Sequence, residues 1–372
     1  MSTKNAAENI MKNTFGQSVC VTVFGESHGE AIGAVIDGLA PGIEVDNDFI
    51  FSQLEKRKGQ NNISTMRREK DEFRILSGVF EGKTTGTPIC IIIENEDKKS
   101  KDYSLTKDLA RPGHADYTAF CKYHGFQDFR GGGHFSGRIT AGLVAVGAIA
   151  LTALKNKGIH IATHILSCGK IQDREFSNLE KDFELLSDLA MPVLDEKARE
   201  KIEEKIIEMR KVGDSIGGVL QTAVTGVPAG VGEPWFDTVE GVLSHALFSI
   251  PAIKGVQFGA GFEFAEMTGS EANDPFRMNL DRVVTETNNN GGINGGITNG
   301  MPIVFSCAVK PTPSIYKEQN TVDFIKNENA VLQIQGRHDP AIIHRAAVVV
   351  DSVTAIVLCD ILAGRFGTDY LA

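Results

Sequence analysis

RITAGLVAVGAIALTALK, Arg138 to Lys155, is apolar on nearly every face of the helix its composition favours. A helix at a protein surface keeps a polar side, so one that is apolar all round is expected to be buried. HRAAVVVDSVTAIVLCDIL, His344 to Leu362, repeats the pattern towards the other end of the chain. The longest apolar run, Ala141 to Leu154, is too short and too rich in glycine and alanine to span a bilayer. Both helices are therefore expected inside the protein, with other elements covering them.

The covering elements read as strands at Val19 to Phe24, Ala31 to Ile36, Phe73 to Phe80, Pro88 to Glu94, Ile216 to Thr225, Val256 to Phe264 and Pro302 to Val309. Gly82 to Thr87 reads as a turn. Phe49 to Lys58 is expected as a helix with a basic end. Asp195 to Lys211 is a second, peripheral helix: Asp195 suits its N-cap, Ala198, Ile202, Ile206 and Met209 share a stripe, and Gly213 lies just past its end. No linker or internal repeat divides the chain. Residues 1–13 read as a disordered tail and residues 14–372 as one α+β domain.

The 372 residues are 42% hydrophobic, enough for a sizeable core, and the formal net charge is -10. Such an acidic chain has no general attraction for nucleic acid or anionic membranes. Affinity for anions must come from local basic clusters. Six scattered cysteines without a Cys-x-x-Cys pair, behind a polar N-terminus, point to a reducing, cytoplasmic setting. Cys121 and His124 have ligand spacing but no second pair, so no metal is expected, and His160, His164, His245 and His344 read as structural.

Chemistry-bearing residues cluster where glycines free the backbone. Gly25-Glu26-Ser27-His28-Gly29 sets a histidine in a turn after a strand. Arg111-Pro112-Gly113-His114-Ala115-Asp116 holds an arginine and a histidine close together, as an oxyanion needing charge and a proton would require. Arg130-Gly131-Gly132-Gly133-His134-Phe135-Ser136-Gly137-Arg138 runs into the first apolar helix, whose amide end favours anions, yet it matches no P-loop or dinucleotide fingerprint. Asn288 to Gly300 is almost all Asn and Gly, with Lys310-Pro311-Thr312-Pro313-Ser314 downstream. Gly336-Arg337-His338-Asp339-Pro340 precedes the second apolar helix; its Arg337 and Asp339 suit one ligand, an ion pair, or a helix cap. Lys56-Arg57-Lys58 through Arg67-Arg68 forms a basic patch, either a solvated face or an anion funnel.

In order and together these segments, with Ile75 to Gly82 and Thr84 to Pro88, resemble the chorismate synthase family from Phe15 to about Leu362. The resemblance implies a β-α-β sandwich, antiparallel sheets enclosing a central helical layer, assembled as a homotetramer. It implies a 1,4-anti elimination of phosphate from 5-enolpyruvylshikimate 3-phosphate to chorismate, with reduced FMN required and no net redox change. It assigns Arg57, Arg111, Arg138 and Arg337 to substrate anions, which their planar forks suit. It lays the flavin against His134, Phe135, Ser136, Pro251, Ala252, Gly295, Lys310, Pro311, Thr312, Pro313, Ser314 and Arg337. It gives His28 the leaving phosphate, His114 the reduced flavin, and Asp339, helped by Ser27 and Ser136, the proton at the reactive flavin nitrogen. The chain departs from the family pattern at Asn61-Asn62, at His134-Phe135-Ser136-Gly137-Arg138 in place of Arg-Ser-Ser-Ala-Arg, at Pro251, and at Ala341. The rival readings are a flavin-binding or electron-carrier protein without the elimination, and a phosphate-ester hydrolase.

Overall fold

In chain order, the first elements are β1 (Thr14–Phe15), β2 (Cys20–Gly25), β3 (Ala31–Asp37), α1 (Asn47–Arg57), β4 (Phe73–Ser77), β5 (Val79–Phe80), β6 (Lys83–Thr84) and β7 (Ile89–Glu94). They belong to a computed structural model that describes residues 12–58, 63, 70–96, 107–334 and 339–372. β1, β2, β3, β7 and β4 lie side by side in that order as one antiparallel sheet. Ile89, Ile91 and Ile93 alternate along β7 and are all buried, the period-two signature of a sheet with one face in the core. α1 starts where the Asp46 carboxylate accepts from the amides of Asp48 and Phe49 at 2.9 and 3.0 Å.

After α2 (Asp116–Tyr123) and α3 (Thr140–Asn156) come β8 (His160–Cys168), β9 (Ile171–Gln172), α4 (Leu179–Asp188), α5 (Glu196–Lys211) and β10 (Gly218–Thr225). α6 (Val239–Leu247), β11 (Ile253–Phe258), α7 (Gly269–Ala272), β12 (Phe276–Asn279), β13 (Arg282–Thr285), β14 (Ile293–Asn294), β15 (Ile297–Thr298) and β16 (Ile303–Val309) follow. The chain closes with β17 (Gln319–Asp323), β18 (Glu328–Leu332) and α8 (Ile343–Phe366). A second five-stranded antiparallel sheet runs β11-β16-β10-β8-β9.

α3 packs on β3 and β7, α8 packs on β8 and β10, and the two helices pack on each other. This is the expected sandwich. Both helices are long and apolar enough to cross a membrane by composition, yet 78% and 89% of the relevant windows are buried within the protein. The helix glycines explain the close layering. A Cβ on Gly142 would stand 2.7 Å from the Gly33 carbonyl carbon in β3, and one on Gly147 would stand 2.4 Å from the Ser352 Cβ in α8.

Asp195 caps α5 as expected, its carboxylate accepting from the Ala198 amide at 2.8 Å. Two expected strands are shorter. Phe73 to Phe80 breaks at Gly78 (φ +81), after which β5 pairs with β6 in a separate hairpin. Val256 to Phe264 ends at Phe258, because Gly259 turns at φ +54 and Gly261–Ala265 winds into a 3-10 turn. β8, α4, α6 and the hairpins β12–β13 and β17–β18 were not expected from the sequence.

Candidate functional site

β2 ends at Gly25 (φ +96), and the chain then turns inward, so that Ser27 and His28 are only 3% and 5% exposed. Gly131, Gly132 and Gly133, all at positive φ, wrap around them. The Ser27 hydroxyl lies 3.3 and 3.2 Å from the carbonyls of Arg130 and Gly131, and its amide donates to the Gly133 carbonyl at 3.1 Å. Ser27 Oγ and His28 Nδ1 are 3.1 Å apart. His134 Nδ1 donates to the Gly25 carbonyl at 2.8 Å. The first and third sequence clusters are therefore one structure. Ser136 accepts the Arg138 amide at 3.3 Å and caps the 3-10 turn that leads into α3. Phe135 stands edge-on to Tyr123 with ring centres 6.1 Å apart. Beside this turn Arg130 grips Asp128 at 2.8 and 2.7 Å, which holds the Asp128 carboxyl below its ordinary range.

Arg57, from the last turn of α1, and Arg138, from the turn before α3, both reach Asp71. Arg57 Nη2 donates to Asp71 Oδ2 at 2.8 Å, and Arg138 Nη1 donates to Asp71 Oδ1. Arg138 also donates to Asn95 Oδ1 at 3.1 Å and to the Glu94 carbonyl at 3.3 Å. Burial pushes the Arg57 guanidinium down from its ordinary value; Asp71 opposes that shift, and the positive charges of Arg345 and Arg138 add to it. Burial alone would raise the Asp71 carboxyl, but its two guanidinium partners outweigh it and the net shift is down. Arg57 is thus neither a solvated charge nor an open funnel, and Arg67 and Arg68 lie outside the described residues.

At the start of α8, Arg345 Nη1 donates to Asp339 Oδ2, and Arg345 Nε donates to the Arg57 carbonyl at 2.8 Å. The N-cap of α8 is Ile342, so Asp339 serves as an ion-pair partner and not as a cap. Arg337 lies outside the described residues.

The second and fourth clusters also meet. His114 Nε2 and Ser314 Oγ are 2.8 Å apart, and Lys310 Nζ donates to the Gly113 carbonyl at 2.6 Å. A Cβ on Gly113 would stand 2.7 Å from the Pro313 Cβ, so only glycine allows the approach. The Lys310 amide donates to the Ala252 carbonyl at 3.0 Å, which sets Pro251 and Ala252 beside it; Ala252 holds φ +78, a costly angle for a residue with a Cβ. Burial, with the nearby charge of Lys254, pushes the Lys310 ammonium below its usual range.

These parts are tied together. Ser215 Oγ donates to the Thr312 carbonyl at 2.6 Å, and the Ile216 amide donates to the Pro340 carbonyl at 2.8 Å. The Lys310 to Ser314 segment is thereby anchored next to Asp339, which Arg345 joins to Arg57, Asp71 and Arg138. Of two further expected contributors, one is already paired and the other stands apart. Arg111 is held by Asp116 through bonds of 2.8 and 2.7 Å. Gly295 sits in the turn between β14 and β15, packed near the Ile303 end of β16, whereas Lys310 follows its Val309 end. At strand rise, that separation is roughly 20 Å within one chain.

Sequence reasoning missed Asp71, Asn95, Arg345 and Ser215. Asp116, five residues after Arg111, was not expected as its partner. Arg345, six residues after Asp339, was the one signal of a partner close in sequence.

A rim of buried guanidiniums, a buried imidazole beside a hydroxyl, and a second imidazole with its own hydroxyl suits an enzyme that grips a small, multiply anionic molecule and moves protons on it. The family is settled by comparison with known proteins. A family model described as chorismate synthase matches residues 19–363. Chorismate synthase of Thermococcus kodakarensis is 46% identical over 350 residues, covering 94% of this chain and 97% of that one. Chorismate synthase of Lachnoclostridium phytofermentans is 48% identical over 354 residues, covering 94% and 95%. A solved structure described as the crystal structure of chorismate synthase superposes with a TM-score of 0.76 at 31% identity, covering 95% of this chain and 94% of that one. The chain belongs to the chorismate synthase family and is a lyase.

Proposed function

We propose that the protein eliminates phosphate and a ring proton from 5-enolpyruvylshikimate 3-phosphate in a 1,4-anti sense to give chorismate, with reduced FMN bound and no net redox change. The observation that carries this reading is the continuous hydrogen-bonded rim joining Arg138, Asp71, Arg57, Arg345 and Asp339, with Lys310 to Ser314 anchored beside it. Such a rim supplies the convergent positive charge that a ligand with two carboxylates and a phosphate needs. We further assign it a cytoplasmic location and a homotetrameric assembly.

The residues present fit a flavin. Thr312 Oγ1 is a buried hydroxyl with no partner among the described residues, in the segment whose Lys310 amide bonds the strained Ala252 and whose Ser314 meets His114. An orphaned donor in the same segment as Lys310 suits the polar edge or phosphate of FMN. Reduced FMN, when bound, supplies the electron density that eases loss of phosphate. His134, Phe135, Ser136, Pro251, Pro311 and Pro313 complete its proposed surroundings.

The protein's own part is positioning and proton control. Arg57, Arg111, Arg138 and Arg337 bind the substrate oxyanions. Ser27 Oγ has one hydrogen. Directed to the Arg130 or Gly131 carbonyl, it leaves the oxygen to accept from His28 Nδ1–H, so Nε2 exchanges the proton with the leaving phosphate. His114, with Nε2 on Ser314, and Asp339, held by Arg345, control protonation on the flavin side.

The test is anaerobic turnover with chemically reduced FMN, following chorismate absorbance and free phosphate. Stoichiometric appearance of both is expected. Tight FMN binding without chorismate would mean a flavin-binding protein, and phosphate release without FMN would mean a hydrolase; either overturns the reading.

A further inference from the structure

We propose that Asp71 is a positioning residue for substrate binding, fixing the guanidiniums of Arg57 and Arg138 so that the Arg57 edge carrying Nε faces the substrate's oxyanions. The inference rests on the function proposed above. Asp71 stands just before β4, 14 residues from Arg57 and 67 from Arg138 in sequence, so only the tertiary fold brings the three together. Its side chain is 1% exposed and those of both arginines are 7% exposed. One carboxylate oxygen goes to each arginine. The backbone there adopts φ +52, a left-handed angle that a residue with a Cβ takes at a cost and that tends to persist at functional sites.

Two buried guanidiniums with one carboxylate leave a net positive charge, and a donor is left over. Arg57 Nε is buried and has no hydrogen-bond partner among the described residues. A buried N–H without an acceptor is costly unless a ligand takes it. Arg138 is held at Nε, Nη1 and Nη2 by Asn95, Asp71 and the Glu94 carbonyl, whereas Arg57 Nε has no partner among the described residues, which leaves the Arg57 plane an edge to offer elsewhere. Removing the carboxylate would leave two buried guanidiniums facing each other with no counter-ion and nothing to hold their planes.

The test is Asp71→Asn, an isostere that keeps volume and loses the charge. Because Arg57 and Arg138 grip substrate and transition state alike, KM for 5-enolpyruvylshikimate 3-phosphate should rise about tenfold or more while kcat stays within about threefold. FMN affinity, read from flavin fluorescence, should not move. Asp71→Glu, with the charge kept but one methylene added, should show a smaller rise in KM than Asp71→Asn, and it carries the test alone if the Asn variant does not fold, a KM above wild type then being expected. A folded variant whose KM stays within about twofold of wild type, or whose FMN affinity weakens as much as KM, overturns the proposal. Wild-type turnover with an unshifted variant KM sinks this inference alone; absence of wild-type turnover sinks the reading beneath it.

Discussion

Replacing Gly131 by alanine should disable the enzyme through a single methyl group, and Gly132→Ala supplies its own control. Both glycines are left-handed, at φ +59 and +87, so a Cβ costs each about 1–2 kcal/mol of stability. They differ in what the methyl meets. At Gly132 it would find only Ser136 Cβ at 3.8 Å, an ordinary contact. At Gly131 it would stand 2.2 Å from His28 Cε1, 2.4 Å from His28 Nδ1 and 2.9 Å from Ser27 Oγ. Carbon atoms rest at about 3.5–4.0 Å, so the imidazole must retreat by more than about 1 Å. A displacement of that size at a reacting group costs about a hundredfold in rate. The assay is kcat with reduced FMN under anaerobic conditions, alongside thermal melts. Tm is expected to fall in both variants and further in Gly131→Ala, which adds a clash, with kcat of the folded enzyme falling about a hundredfold in Gly131→Ala and staying within about threefold in Gly132→Ala. Near-normal kcat in Gly131→Ala would refute the placement of His28 at the chemistry.

Further expectations concern protons. His114→Ala should lower turnover at least about a hundredfold, as loss of a positioned proton donor does, and Ser314→Ala should lower it in the same direction by less; stopped-flow chorismate formation reads both. Burial and the neighbouring Arg345 push the His344 imidazole down to about 4, so the unfolded chain takes up its proton first. Stability from this group is complete above about pH 6.5 and is lost as pH falls towards 4, by up to about 3 kcal/mol, which urea titrations at pH 7 and pH 5 would show and His344→Gln would flatten. Asp351 in α8 has the opposite sign: burial raises its carboxyl to about 6, although Thr163 Oγ1 donates to it at 2.6 Å. Its folded form holds the proton longer than the unfolded chain, so its stabilisation is present at low pH and lost as pH rises from about 4 to about 6. Asp351→Asn should raise Tm at pH 7.5 and leave it unchanged near pH 4; equal melting temperatures at pH 7.5 would contradict this.

The helices that form the middle layer were legible because their message is composition: Arg138 to Lys155 and His344 to Leu362 have no polar face to present to water. α1 and α5 were legible from caps and stripes. β8 was not, because it starts only four residues after α3 and is buried over most of its length, leaving no clean alternation. The β12–β13 hairpin was not, because Phe276, Met278 and Val283 are exposed and carry no core pattern. At the site, glycines announced where backbone had to come close, as at Gly113 and Gly131. The carboxylates that restrain the arginines gave no such sign. Asp71 sits among charged residues, Lys70 and Glu72, and only folding distinguishes it from them. Arg111 was legible as an arginine but not as one already gripped by Asp116.

α8 fills the space between the two sheets, and it is translated after every strand it covers. While the ribosome is still short of Ile343, the inner faces of β8 and β10 have no lid, and Arg345 does not yet exist to bridge Asp339 to α1. From Thr225 until Ile343 is made, the growing polypeptide therefore carries apolar sheet surface that α8 does not yet cover. Activity should switch on in a single step once the last helix slots in, and no shorter nascent fragment should have a working centre.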